Sequence, residues 1–297
     1  MSAGVLDGRA AESRSLVGRA WSGRNKYLLA AVCIALSTIM LLPLVLSILA
    51  SLKSTSEAAA LPPIYAPTQI SMDSYERLWD YQIGLPTYLA NSFGTAFLAI
   101  VFTLLLTVPA AYALARFPIR GRELLFVFLL LALIIPYQAL LTPIFLMFAQ
   151  WKLLNSLVGL AILHTAIQIP FSLYVLRNNF SAVPRELEEA AVMDGANSLQ
   201  VLLRIFIPSV MPAIITVALF AFITSWNEFL GALVMMNKSS SFTLPVVLAA
   251  ARTETSLGGT DWGMLQAGVT ISVVPCVVVY LLLQRYYVSG LLSGAVK

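Results

Sequence analysis

The 297-residue chain has one histidine, His164, and it lies in an apolar stretch with no acid and no second metal-ligating side chain close by in sequence. A histidine so placed is most often a hydrogen-bonded packing residue, because proton relay requires a partner group. Glu228, in Ser225-Trp226-Asn227-Glu228-Phe229, is the other ionisable group within an apolar stretch. Covalent chemistry needs a nucleophile with its base, paired acids or a metal cluster. The sequence has no His-Glu-x-x-His, no Gly-x-Ser-x-Gly and no acidic pair inside an apolar stretch, so neither catalytic residues nor a metal site are expected. None of the five lysines follows a glycine, so no Walker loop cradles ATP in this chain. Cys33 and Cys276 both sit in apolar runs without Cys-x-x-Cys or Cys/His spacing and read as small buried hydrophobes. What remains is a set of neutral polar residues, Asn91, Gln138, Gln168, Thr224, Asn227 and Gln266, which together suit a passage for an uncharged, hydroxyl-rich solute such as a sugar. The competing reading for each of them singly is a helix-to-helix hydrogen bond, worth about 0.6–2 kcal/mol in a membrane.

The elements that must carry these residues are set by composition. Hydrophobic residues make up 59% of the chain and charged ones 11%, too few polar side chains to cover a soluble surface of this size, and the mean hydropathy is +0.86. Crossing about 30 Å of hydrocarbon takes about 20 helical residues with every backbone group paired internally. Six stretches qualify, near residues 27–51, 86–115, 124–148, 156–176, 210–233 and 263–283, and the fold class read from them is all-α integral membrane. Pro43, Pro109, Pro136, Pro143, Pro170 and Pro275 fall inside, which membrane helices tolerate and soluble ones rarely do. A cleaved signal peptide is the alternative for the first stretch, but its apolar run exceeds the roughly 7–15 residues of a signal core. Trp226 is expected at headgroup level, with Asn227 and Glu228 reaching a water-filled vestibule.

Lysine and arginine resist translocation, so their distribution orients the chain. Arg9, Arg14, Arg19, Arg24 and Lys26, then Arg116, Arg120 and Arg122, then Arg177, Arg185 and Arg204, then Arg285 and Lys297 share one side, the cytoplasm. Lys53, Arg77, Lys152, Lys238 and Arg252 face outward, and six crossings leave both termini cytoplasmic. A net charge of +4 placed this way marks membrane orientation and implies no nucleic acid. With no internal repeat, the chain reads as one membrane domain over 27–287, a cytoplasmic segment over 1–26 and a cytoplasmic tail over 288–297.

The longest cytoplasmic connection, 177–209, reads as two short helices. Pro184 suits a first helical position, and Glu186, Glu188 and Glu189 suit the positive end of a helix dipole. Gly195 breaks the pattern, Asn197 or Ser198 caps a second helix, Leu199, Leu202, Leu203 and Phe206 form its apolar stripe, and Pro208 ends it. Glu189-Ala190-Ala191, three residues ending in Asp194, Gly195, nine residues, then Ile205-x-Ile207-Pro208 resembles the EAA signature of ABC importer permeases, with Ile207 in place of Leu. The alternative is an amphipathic hairpin lying on the membrane surface. Asn91-Ser92, Ser225-Trp226-Asn227-Glu228-Phe229 and the ending Gly290-Leu291-Leu292-Ser293-Gly294-Ala295-Val296-Lys297 extend the likeness to the MalG-type, carbohydrate branch.

The resemblance implies a type I importer (MetI-like) permease fold in a bacterial cytoplasmic membrane, moving a di- or oligosaccharide inward by alternating access. It implies that 178–209 receives force from a separate ATPase, that Gly294, Ala295, Val296 and Lys297 lie at the interface of the ATPase pair, and that this chain performs no hydrolysis. Implied partners are a second homologous permease, two ATP-binding subunits holding ATP and magnesium, an extracytoplasmic solute-binding protein and membrane lipid. The outer loops at 53–85, with a short interfacial helix near Asp73-Ser74-Tyr75, and at 235–262, around the apolar piece 244–251, are the expected contacts for the binding protein. Another cargo such as glycerol phosphate, or an ATP-independent carrier, are the alternatives.

Overall fold

The computed structural model describes residues 23–58, 60, 62, 64–251 and 260–295, with side chains described between 26 and 284. Arg9, Arg14, Arg19, Arg252, Gly258, Gly259, Val296 and Lys297 lie outside the described residues. Among the described residues every regular element is helical. In chain order the main helices are α1 (Gly23–Ser51), α2 (Asp73–Trp79), α3 (Leu85–Arg116), α4 (Arg122–Leu131), α5 (Leu141–Gln150) and α6 (Leu157–Ala182). They continue as α7 (Arg185–Met193), α8 (Ser198–Val201), α9 (Met211–Asn227), α10 (Leu230–Met235), α11 (Leu244–Ala251) and α12 (Trp262–Ala295). Among the described residues four helices, Lys26–Ser51, Leu85–Arg116, Leu157–Ala182 and Trp262–Gln284, are long and apolar enough to cross a membrane. The segments Ser198–Ser209 and Met211–Asn227, bent by 80° where they meet, make a fifth if taken together.

Two predicted stretches are not single helices. The third, 124–148, divides into α4 and α5 around an irregular turn and a 3-10 segment, Tyr137–Leu140. Pro136 is the cause: it lacks an N–H to donate and disfavours helical geometry at Ile135, whereas Pro143 falls in the first turn of α5, where donors are unpaired anyway. The fifth, 210–233, is interrupted at Glu228, which is extended (φ −69°, ψ 123°), before α10 resumes. Pro109, Pro170 and Pro275 remain inside continuous helices.

α3 and α6 form the centre and run parallel. Their close approach follows from small residues on α3: Ala96, Ala99, Thr103, Thr107 and Ala111 recur every three or four positions and all are buried, opposite Ala161, Thr165 and Ser172 of α6. Membrane helices, lacking a hydrophobic drive to associate, use such small faces to bring backbones together. α9 lies against α3, α6 and α12, and α1 packs along α12. Three apolar clusters result. One, here called the inner cluster, lies at the end of the bundle that carries the 177–209 hairpin and joins Tyr112, Leu176, Phe180, Phe206 and Val217; a second, at the opposite end, joins Leu78, Tyr88, Trp226, Leu244 and Val247; a third joins Phe148, Leu163, Met235 and Val246. A short helix, α2, is present near Asp73-Ser74-Tyr75 as expected, and 244–251 is a packed helix with Leu244, Val246 and Val247 buried.

Candidate functional site

The 177–209 hairpin is built from two local motifs. α7 begins at Arg185 with Pro184 in the flanking position, one residue later than the proline alone suggests, because Pro184 holds an extended backbone (ψ 139°). It ends in a Schellman turn: Ala196 N–H donates to the carbonyl of Ala191 (2.9 Å) and Gly195 N–H to that of Val192 (3.0 Å). Gly195 has φ +83°, which a side chain would strain, and open space where a Cβ would stand. Two residues on, Asn197 and Gln200 form a reciprocal capping box that starts α8. The helix then widens to a π turn over Leu202–Phe206, with Ile207 N–H donating to the carbonyl of Leu202. Pro208 does not end the helix as expected; helical geometry reaches Ser209 and the chain turns at Val210. The wide turn directly precedes Pro208, whose ring would crowd the carbonyl four residues back.

The expected apolar stripe is split between two directions. Leu202 and Phe206, joined by Val201, are buried in the inner cluster, while Leu199 and Leu203 are 62% and 53% exposed. With Leu187, Val192 and Met193, also exposed, they leave an uncovered apolar surface on the hairpin. Glu189, Ala190, Asp194, Gly195 and Pro208 are exposed; Ala191, Ile205 and Ile207 are half-buried against the inner cluster. Phe206 is wholly buried, its ring 5.0 Å from that of Tyr112 on α3 and 5.9 Å from that of Phe180 on α6.

A second constellation lies in the membrane-spanning part, where sequence reading treats His164 as lacking an acid and sends Glu228 to the surface. Both expectations are corrected. Glu228 is buried, and the chain break at its backbone turns its carboxylate inward. Oε2 lies 3.2 Å from His164 Nε2 and accepts from Ala232 N–H (3.0 Å); Oε1 accepts from Tyr137 Oη–H (2.5 Å) and Gly231 N–H (2.8 Å). His164 Nδ1 lies 2.7 Å from Ser225 Oγ. The carboxylate thereby caps α10 and holds Tyr137 beside the break in the third stretch. Trp226 is likewise no headgroup anchor: it is buried, stacked on Phe222, and donates from Nε1 to the carbonyl of Ser272 (3.0 Å). Read as continuous helix, the i, i+3 spacing of Ser225 and Glu228 puts both on one face and is the available signal, although the helix itself ends at Asn227; nothing in sequence marks Tyr137.

Residues 107–292 match the family model described as the binding-protein-dependent transport system inner membrane component. The chain belongs to this family. It is 31% identical over 284 residues, 96% of this chain and 99% of the relative, to the diacetylchitobiose uptake system permease protein DasC of Streptomyces coelicolor. It is 30% identical over 262 residues, 87% and 92% of the two chains, to the arabinooligosaccharides transport system permease protein AraQ of Halalkalibacterium halodurans. A solved bacterial ABC transporter involved in the import of the acidic polysaccharide alginate superposes with a TM-score of 0.77 at 25% identity, covering 90% of this chain and 99% of that one. The expected importer-permease fold is therefore found, and the permease is an inner-membrane subunit of a transporter complex.

Within the permease, the six neutral polar residues do not converge on one cavity. Gln168 and Thr224 meet, Thr224 Oγ1 donating to Gln168 Oε1 (3.2 Å), and the buried Gln168 Nε2 finds no acceptor among the described residues. Gln138 opens onto a cavity of about 390 Å³ also lined by Tyr137, Leu163, Ala166 and Pro170. Asn91 spends both amide hydrogens on the carbonyls of Ser240 and Phe242 (2.9 Å each), and Ser92 Oγ accepts from Leu244 N–H (2.8 Å), so this pair staples the third outer loop to α3. Asn227 is exposed and bonds back to the carbonyl of Ile223, and Gln266 is half-exposed on α12. Helical backbone continues through Gly294 and Ala295 with no break at the expected tail boundary. Among the described residues no three His, Cys, Asp or Glu side chains gather as a metal set.

Proposed function

We propose that this chain is the membrane subunit of an ATP-driven importer that carries a di- or oligosaccharide into the cytoplasm by alternating access. The observation that carries the reading is the two-sidedness of the 178–209 hairpin: one face is locked into the inner cluster, and the other presents Val192, Met193, Leu199 and Leu203 uncovered beside the exposed Glu189. An apolar surface of that kind on an element rich in solvated charge fits a protein partner better than water. Its occupant in this reading is one of two ATP-binding subunits, which hold ATP and magnesium; this chain holds no cofactor. A second homologous permease completes the membrane part, an extracytoplasmic solute-binding protein docks outside, and both termini face the cytoplasm.

The sugar assignment draws support from the saccharide cargoes named for DasC, AraQ and the alginate transporter. Gln168 and Thr224 are the best-placed candidates for solute contact, because Gln168 keeps an unused donor. Gly294–Lys297 are assigned to the ATPase interface. The test is reconstitution of the complete complex in proteoliposomes, with the cargo first identified by binding to its solute-binding protein. ATP-dependent uptake is expected, abolished by omitting the ATPase. Uptake driven by an ion gradient alone sinks the reading.

A further inference from the structure

We infer that Arg116 is the positioning residue through which movement of the hairpin enters the bundle, a role that rests on the coupling reading above. Arg116 is the last residue of α3, and its side chain is only 4% exposed. Nη2 donates to the carbonyls of Phe180 (2.7 Å) and Val183, at the end of α6 where helix carbonyls lack internal donors and the dipole favours a cation. Nη1 stands 3.8 Å from Glu188 Oε2 on α7, and the guanidinium carbon lies 4.6 Å over the Phe206 ring of the π turn. One side chain thus touches α3, α6 and both arms of the hairpin.

Two features set this apart from an ordinary helix cap. The direct covalent route from the hairpin into α9 is bent by 80° at Val210, so a push along the hairpin is not delivered along the α9 axis. The lateral route, Phe206 and Glu188 against Arg116, reaches α3 and α6 together. Among the described residues the guanidinium also has no acceptor for its buried Nε, so its present set of bonds is not its fullest. Neighbouring glutamates diverge accordingly: Glu188 turns in toward Arg116, and Glu189 is exposed. A lysine supplies charge but neither the fork that spans two carbonyls nor the plane that stacks on Phe206.

The test uses the complete complex in proteoliposomes, with Cys33 and Cys276 replaced by alanine, and compares Arg116→Gln, Arg116→Lys and Glu188→Gln. Solute imported per ATP hydrolysed is measured alongside disulfide cross-linking from Leu199→Cys to a cysteine on the ATPase. The expected result is intact cross-linking with import per ATP reduced about tenfold for Arg116→Gln, less for Arg116→Lys, and about twofold for Glu188→Gln. An unchanged ratio in the assembled Arg116 variants overturns the inference and leaves the coupling reading standing. If those variants fail to assemble, an unchanged ratio in Glu188→Gln overturns it instead. Absence of the cross-link in the parent complex overturns the coupling reading itself.

Discussion

Two buried charges organise this permease, and they are satisfied in opposite ways. At the end of the bundle that carries the hairpin, Arg116 spreads its donors over two helix-terminal carbonyls, a carboxylate at 3.8 Å and an aromatic face, and leaves Nε without an acceptor among the described residues. In the spanning part, both oxygens of Glu228 are filled by Tyr137, His164, Gly231 N–H and Ala232 N–H. The first arrangement is loose and joins separate elements across a hinge-like bend. The second is saturated and seals two chain interruptions, at Pro136 and at Glu228, around one carboxylate. A cation with a spare donor can exchange partners when its surroundings shift; a carboxylate with four donors has nothing to gain by moving.

That contrast is breakable. Glu228→Ala strands a phenol, an imidazole and two backbone N–H groups, and is expected to lower stability by about 3–5 kcal/mol, read as a large drop in the thermal midpoint of the purified complex. Retention of the wild-type midpoint would show that the carboxylate seals nothing. Glu228→Gln keeps one acceptor oxygen for Tyr137 and Gly231 and is expected to lose about 1–2 kcal/mol. At the hairpin, Gly195→Val forces a branched side chain into φ +83°, for about 1–2 kcal/mol of local strain without a clash. Its signature is reduced uptake with unchanged assembly, and Gly195→Asn should be milder; equal behaviour of the two would rule out backbone strain as the cause. Tyr137→Phe removes a single donor and is expected to cost about 1 kcal/mol, non-additively with Glu228→Gln in a double-mutant cycle. Additive losses would mean that the two residues act apart.

The smallest effect belongs to an ion pair at the same end of the bundle as Arg116, between the largely buried Arg177 and the exposed Glu123. The hydrogen bond from Arg177 holds the Glu123 carboxyl below its usual range. A depressed folded-state value stabilises above the unfolded carboxylate range and is lost as pH falls through the folded one. Wild type and Glu123→Gln should therefore differ slightly at neutral pH and converge in acid, as thermal midpoints at both pH values would show. Because Glu123 is exposed, a difference as large as that for Glu228→Ala would contradict the assignment of Arg116 and Glu228 as the main charged joints.

Much of this architecture is legible in the sequence because it follows from composition and short-range chemistry. The long apolar runs, the Gly195 reversal and the Asn197 cap each depend on residues within a few positions of one another. The errors fall where distant segments meet. Glu228 reads as an interfacial acid when only its neighbours are considered, since its partners Tyr137 and His164 are 91 and 64 residues away. Trp226 reads as a headgroup anchor until Ser272 and Phe222 enclose it. Pro136 reads as one of six prolines that membrane helices tolerate, whereas in the structure it holds an extended backbone (ψ 113°) and the stretch breaks there. Arg116 reads in sequence only as an orienting charge, and its burial depends on the carbonyls of another helix end. Of the six polar residues grouped for a passage, Gln168 and Thr224 touch each other, while Asn91 is consumed in loop anchoring.

That anchoring gives α3 an unusual position. Near its first turn Asn91 and Ser92 grip the segment 240–244, and at its last residue Arg116 meets Glu188 and Phe206 of the hairpin. The helix is 32 residues long, a strut of about 48 Å, and Pro109 is its single interior proline. A tug on the 240–244 segment and a shove on the hairpin therefore reach the same rod from opposite tips, and any give in it is concentrated in the turn before Pro109.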